Sequence, residues 1–476
     1  MITSKHHDGF CMFDTPLTDY CITKATPFHR DPLKELAAAC RRQGIQLCFY
    51  HSIMDWHHPD YLPRREWEKT TRPADGASLD RYIDYMKGEL RELLTGYGRI
   101  GVIWFDGGWE HKAQELRSLE VNRMIRSLQP GILINDRNQL PEDFATPEQS
   151  IPAGAMAGGR LWETCMTLND NWGFAKNDHH WKSTADLVRK LCDISHKGGN
   201  FLLNVGPTAE GEVPAPSIER LEQVGDWMKA NGKSIYGTTK SPYKKLPFNG
   251  RCTVKGNRLY LQVFEWPAGG LKLDGLLTPV KGVRALANGA RLKWAMEPAA
   301  ESDAPRVLAI TQPTSLDPIA TVVEVTLSGP PNVTDVGAAQ RAGTDGSFIL
   351  KAADADVQGQ TAKYEQGDGR DNIGFWINKD DYVTWMCNVA KPDRYRVEIT
   401  YACPEGNAGS QYTVGVDKGA PAGGTVKATG SWVKFESETI GSFELPAGKQ
   451  TIAVRVPSMP KGAVMNLRQV RLVPVR

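Results

Sequence analysis

Apolar positions in the first half of the chain switch repeatedly between two periods. From Asp31 to Gly44 they fall at helical spacing, with Leu33, Leu36, Ala37 and Cys40 as one stripe. Asp31-Pro32 supplies a cap and a proline at the first helical position, and Gly44 supplies the stop. The run 45–52 then reads as a strand. Ser78 opens a second helix whose stripe is Leu79, Tyr82, Ile83, Met86, Leu90 and Leu93, ending near Gly96. An apolar strand follows at once in Gly101-Val-Ile-Trp-Phe-Asp-Gly-Gly-Trp109. Further strands are predicted at 132–135, 161–165 and 201–205. Between the last two, a helix from Ser183 turns Leu187, Leu191 and Ile194 inward and stops at Gly198-Gly199. Strand then helix, repeated to about residue 237, predicts a parallel sheet.

After about Ser241 strict alternation takes over. Leu259, Leu261 and Val263 point one way and Tyr260 and Gln262 the other, between turn signals at Asn249-Gly250 and Gly256-Asn257. Gly329-Pro330-Pro331 reads as a linker, and from about Phe348 a second β region alternates through Tyr395, Val397, Ile399 and Tyr401 and again through Ile452, Val454 and Val456. The predicted organisation is an α/β region over 1–237, a β-sandwich over 241–330 and a second β-sandwich over 346–476. Trp376, Trp385 and Trp432 of the last region are expected in its core before a sugar-stacking surface.

Charge and composition narrow the function. The 476 residues carry a net charge of +2, which indicates no nucleic acid or other polyanion as partner. No apolar run reaches bilayer length, so membrane insertion is not expected. Nine cysteines without close-paired spacing resemble neither a disulfide framework nor a zinc ribbon. Cys40, Cys48 and Cys192 lie in apolar patterns and read as buried thiols.

Chemistry-bearing side chains gather just after the strands: His6-His7-Asp8, Tyr50-His51, Asp106, Asn135-Asp136-Arg137, Glu163 and Asn204. Catalytic groups of (β/α)8 barrels occupy that end, whereas a doubly wound fold would show a glycine-rich phosphate loop after its first strand. No such loop occurs, so an α/β fold of the (β/α)8-like barrel type is expected. Alternation puts Trp104 and Asp106 on one face, an indole and a carboxylate suited to a sugar ring. The competing reading of Asp106 is a turn aspartate bonded to its own backbone. Glycoside cleavage needs a second carboxyl group. Glu148, in Ala145-Thr-Pro-Glu-Gln-Ser-Ile-Pro152, and Glu163, in Leu161-Trp-Glu-Thr-Cys-Met166, are the candidates.

His6-His7-Asp8-Gly9-Phe10, Asp55-Trp-His-His58, Trp104-Phe-Asp-Gly107, Asn135-Asp-Arg137, Thr146-Pro-Glu-Gln149, Trp162-Glu-Thr164 and Leu203-Asn-Val-Gly-Pro207 together resemble the retaining α-L-fucosidase family over roughly the first 330 residues. The resemblance implies Asp106 as nucleophile, Glu148 as acid/base with Glu163 as second choice, and His6, His7, Tyr50, Trp56, Trp104 and Arg137 around the sugar. It implies a fucosylated glycan as substrate and neither a cofactor nor a metal. Retention implies a carboxyl separation of about 5 to 5.5 Å. Family members begin with a strand carrying a Phe-Gly-x-Phe-x-His-Trp-Gly-like motif and a loop with a Glu-Trp pair. Neither occurs here, so the barrel is expected to be incomplete at its N-terminus, opening inside the second strand. The family is secreted, periplasmic or lysosomal, yet no leader-like segment follows Met1. The last 130 or so residues look loosely like a carbohydrate-binding module.

Two alternatives carry different chemistry. Three histidine pairs, His6-His7, His57-His58 and His179-His180, raise a metal hydrolase. Adjacent strand residues face opposite ways, and no His-Glu-x-x-His spacing gathers ligands. A carbohydrate-binding protein without turnover, or an inactive fragment of such an enzyme, is the second.

Overall fold

Residues 31–44 become a helix for the reasons their sequence gives. The Asp31 carboxylate accepts the Lys34 amide, Pro32 opens the first turn, and Gly44 closes the last one at φ 67°. In the computed structural model, which describes residues 1–152, 159–243, 246–298, 306–334, 339–343, 345–367, 370–417 and 419–475, the first elements are β1 (Ile2–Lys5), α1 (Ile22–Ala25), α2 (Pro32–Gln43), β2 (Phe49–Ser52), α3 (Leu79–Gly96), β3 (Val102–Asp106), α4 (Ser118–Leu128) and β4 (Leu133–Ile134). The four strands form one parallel sheet in the order β1-β2-β3-β4, with β1 at its edge. All eight belong to the first of two compact units, Met1–Thr146 and Pro147–Arg476.

Three local expectations change. The strand expected from residue 45 starts only at Phe49, and Ile45 lies exposed in the turn after α2. Leu36 is at the solvent edge of its helical stripe, while Leu33, Ala37 and Cys40 are buried. Cys48 is only half-buried, unlike Cys40 and Cys192. None of the nine cysteines forms a disulfide.

The interface of α3 with the sheet contains a buried charge network as well as the expected apolar stripe. Glu89 shares the inner face with Met86, Leu90 and Leu93 and is fully buried. Lys5 at the end of β1 meets it at 2.6 Å and Asp55 at 3.2 Å. Burial works against the Glu89 anion, but the Lys5 ammonium and the His51 ring hold its carboxyl at about 2. The Tyr82 hydroxyl donates to the Ile53 carbonyl at 2.6 Å. These bonds tie β1, β2 and the segment after β2 to α3.

In the second unit, β5 (Glu163–Thr167) and β6 (Asn200–Asn204) pair in parallel, with α5 (Thr184–His196) between them and α6 (Ala215–Asn231) after. The rest is β structure. Strands β7 (Gly250–Lys255), β8 (Arg258–Val263), β9 (Leu271–Leu273), β10 (Val280–Ala285), β11 (Trp294–Glu297), β12 (Val307–Ile310) and β13 (Thr321–Leu327) form sheets ordered β10-β13-β8-β7 and β11-β12-β9. Leu259, Leu261, Leu273, Leu308 and Val323 lie in their shared core. The other face of β8 is covered too: Tyr260 packs in one cluster with Val188 and Cys192 of α5 and Trp227 of α6. The alternation of β8 therefore separates two buried environments rather than core from solvent. Two further sheets over 339–474 share a separate core that includes Trp376 and Trp385, whose indole N–H groups donate to the Asp381 and Lys351 carbonyls. Trp432 is half-buried.

Candidate active site

Asp106 is the last residue of β3, paired in register with Ser52 at the end of β2. Two glycines let the chain leave the strand there. Gly107 adopts φ 72°, and a Cβ at Gly108 would lie 2.2 Å from the Arg137 carbonyl. The next strand, β4, is only two residues long, and a side chain continues its role. Buried Asn135 accepts the Phe105 amide at 2.8 Å and donates to the Phe105 carbonyl at 2.9 Å, imitating a further backbone pair. The residue before the carboxylate is thus clamped from both sides.

Both oxygens of Asp106 are acceptors. The Tyr50 hydroxyl donates to Oδ2 at 2.7 Å, and Arg137 Nη1 donates to Oδ1 at 2.9 Å. Arg137 is itself oriented by the hydroxyl and carbonyl of Thr146, at 3.1 and 3.3 Å. Asp106 therefore has partners other than its own backbone, contrary to the turn-aspartate reading.

Adjacent histidines complete this cluster with opposite proton placements. The Ser52 hydroxyl donates to the Met54 carbonyl at 2.6 Å, so its contact with His7 Nδ1, also 2.6 Å, requires the ring nitrogen to carry the proton. His7 Nε2 is left as a lone pair 3.9 Å from Asp106 Oδ2. His6 Nδ1 accepts the His7 amide at 2.8 Å, which puts the His6 proton on Nε2. Burial, with the neighbouring His6 next in weight, lowers the His7 pKa to about 4 and keeps the ring neutral. His6 stacks on Tyr50 with centroids 5.1 Å apart.

Trp104 departs from the expectation of an open stacking face. It is 3% exposed, with the Tyr50 ring stacked 5.7 Å away and the Arg137 guanidinium 4.6 Å from its centroid. Its indole packs against both donors to Asp106, Tyr50 and Arg137. Trp56 lies half-buried 5.7 Å from His7. Ser52, Asn135 as a clamp, and Trp109 were not singled out by the sequence reading. Only the Asn-Asp-Arg motif pointed toward one of them.

The two glutamates belong to the second unit. Glu148 is exposed and lies on a segment bridged in parallel to Cys165, with the Gln149 amide bonded to the Cys165 carbonyl at 2.9 Å. Glu163 is half-buried and is the first residue of β5, which ends at Thr167. At about 3.3 Å per residue it stands roughly 13 Å from the strand's C-terminal end. The expected strand 161–165 has shifted by two residues, which moves Glu163 from its middle to its beginning. A cavity of about 160 Å³ opens at the C-terminal ends of β5 and β6, lined by Asn169, Phe174, Trp181, Asn204 and Ser217 among others. Neither glutamate lines it. Among the described residues, Asp170, Asp178 and His180 form one group of metal-type donors. Their atoms bond one another and the local backbone, with Asp178 accepting the Asp170 and His180 amides.

Comparison with known proteins converges on one family. The family model described as Alpha-L-fucosidase matches residues 1–233. Human tissue alpha-L-fucosidase is 28% identical over 320 residues, covering 63% of this chain and 65% of the human protein, so the match spans just under two thirds of that relative's length. The solved structure of alpha-L-fucosidase isoenzyme 1 from Paenibacillus thiaminolyticus is 40% identical with a TM-score of 0.63, over 69% of this chain and 82% of the other. The alpha-L-fucosidase of Vibrio sp. strain EJY3 has a TM-score of 0.70 at 23% identity, a likeness of fold that covers 100% of this chain and 84% of the other.

Proposed function

Because this chain belongs to the α-L-fucosidase family, we propose that it hydrolyses terminal α-L-fucosyl linkages of glycans with retention, through a covalent fucosyl-enzyme intermediate on Asp106. The observation that carries this reading is the carboxylate itself. It stands at the C-terminal end of β3, where barrel enzymes hold catalytic groups, with Tyr50 and Arg137 on its oxygens. A carboxylate fixed in this way meets an anomeric carbon without first reorganising.

In the first half-reaction an Asp106 oxygen bonds to C1 while the glycosidic C1–O bond breaks and a general acid protonates the leaving oxygen. In the second, the same residue, now a base, takes a proton from water, and water displaces Asp106. Glu148 is the acid/base of this reading; the place of Glu163 at the start of β5 speaks against it. The neutral His7 Nε2 accepts a hydrogen bond from one sugar hydroxyl and the His6 Nε2–H donates to another. That donor and acceptor pair would favour one arrangement of hydroxyls.

The same reading takes the parallel strands as part of a (β/α)8-like barrel, followed by two β-sandwiches, the last of which binds carbohydrate. It places the protein outside the cytoplasm or in lysosomes. Among the described residues no helix is long and apolar enough to cross a membrane.

The decisive experiment is Asp106→Ala assayed with an aryl α-L-fucoside. Turnover is expected to fall by at least a thousandfold with the fold retained, and azide is expected to restore part of it as fucosyl azide. Wild-type rates in that variant would overturn the assignment.

A further inference from the structure

Trp109 combines exposure with rigidity beside the nucleophile. Its indole is 59% exposed, three residues beyond Asp106, with its ring edge-on to His7 at 5.7 Å and 86°. An exposed indole usually belongs to a loose loop, but this loop is pinned. The next residue, Glu110, receives both terminal guanidinium nitrogens of Arg65 and, at 2.7 Å, the Tyr61 hydroxyl. His111 Nε2 donates to the Leu62 carbonyl at 2.7 Å, and the His111 amide closes a turn on Gly108. Gly107 fixes the other end, since a Cβ there would lie 2.6 Å from the Met54 side chain. Trp104, by contrast, is enclosed, so it cannot stack on a second sugar ring.

We propose that Trp109 is the platform for the sugar that carries the fucose: a neutral pyranose whose C–H face lies on the indole once the fucose sits at Asp106. Three observations favour this occupant. The loop that carries the ring is pinned before any ligand arrives, so little backbone-ordering entropy opposes stacking. It flanks His7, which in turn faces Asp106, so it borders the nucleophile's surroundings without touching the carboxylate. Its exposed surface is an apolar aromatic face, which suits the C–H face of an uncharged ring.

This subsite rests on the fucosidase reading, and the test separates the two. Wild type, Trp109→Ala and Trp109→Phe are assayed with α-L-fucosyl fluoride, which has no second ring, and with fucosyl-galactose or fucosyl-N-acetylglucosamine, whichever the wild type cleaves faster. Trp109→Ala is expected to lose about tenfold in kcat/KM on the disaccharide, mainly through KM, while the fluoride stays within about twofold. Trp109→Phe is expected to retain most of the disaccharide rate. Equal losses on both substrates, no loss on the disaccharide, or wild-type turnover of the fluoride with neither disaccharide cleaved would overturn the subsite alone. Absence of wild-type turnover on every substrate would overturn the fucosidase reading and the subsite with it.

Discussion

His7 shows how much one hydroxyl can decide. Its ring is partly buried and lies beside His6, and both effects lower its pKa from 6.5 to about 4, against the pull of Asp106 in the other direction. The unfolded chain therefore takes up this proton more readily than the folded one between those values. The site's contribution to stability is complete above about 6.5 and is lost as pH falls toward 4. Binding is expected to follow: KM for a fucoside rises as pH drops through about 4, when Nε2 gains a proton and ceases to accept, and a pH profile of KM checks this. The proton on Nδ1 is kept there by buried Ser52. Ser52→Ala is expected to lower kcat/KM about tenfold, chiefly through KM, with Ser52→Thr between it and wild type. Kinetics on all three proteins settles it.

At the scale of elements, the site depends on how β1 and β2 are fastened to α3. Glu89 is completely enclosed with Lys5 at 2.6 Å, so removing its charge leaves an ammonium in the interior with less compensation. Glu89→Gln is expected to cost about 3 kcal/mol, read as a lower urea midpoint at unchanged slope. Its carboxyl, lowered from 4.5 to about 2, contributes stability that is complete above about 4.5 and is lost as pH falls toward 2. Strand position also separates the two glutamates. Glu163 opens β5, and Glu163→Gln is expected to leave turnover within about twofold of wild type. Glu148→Gln is expected to slow poor leaving groups by about a hundredfold or more and good ones far less, since only the former need protonation. Paired assays with alkyl and nitrophenyl fucosides distinguish the two residues.

Over the whole molecule, charge is expected to have little part in capture of the neutral sugar proposed as substrate. With a net charge of +2, kcat/KM for an aryl fucoside is expected to change less than about twofold between low and high salt, a measurement that needs only the wild type. The two units differ in what fills them. The first combines apolar packing with the buried Lys5–Glu89 network, while the second holds separate β cores. In the second unit β8 packs on helices as well as on strands, which explains why it has no solvent-facing side.

The amino-acid sequence by itself determined the alternation of strands and helices, the β structure after residue 241, and the position of Asp106 at a strand end. Each rests on local spacing, capping or glycine content, which neighbouring residues supply among themselves. Burial of Glu89, enclosure of Trp104, the proton placement on His7, and the Asn135 clamp were decided only by tertiary structure. Each depends on a partner tens of residues away: Lys5 is 84 positions from Glu89, and Ser52 is 45 from His7. Periodicity tells which face of an element turns inward. The polar group waiting on the other side belongs to a different part of the chain, and only folding brings it there.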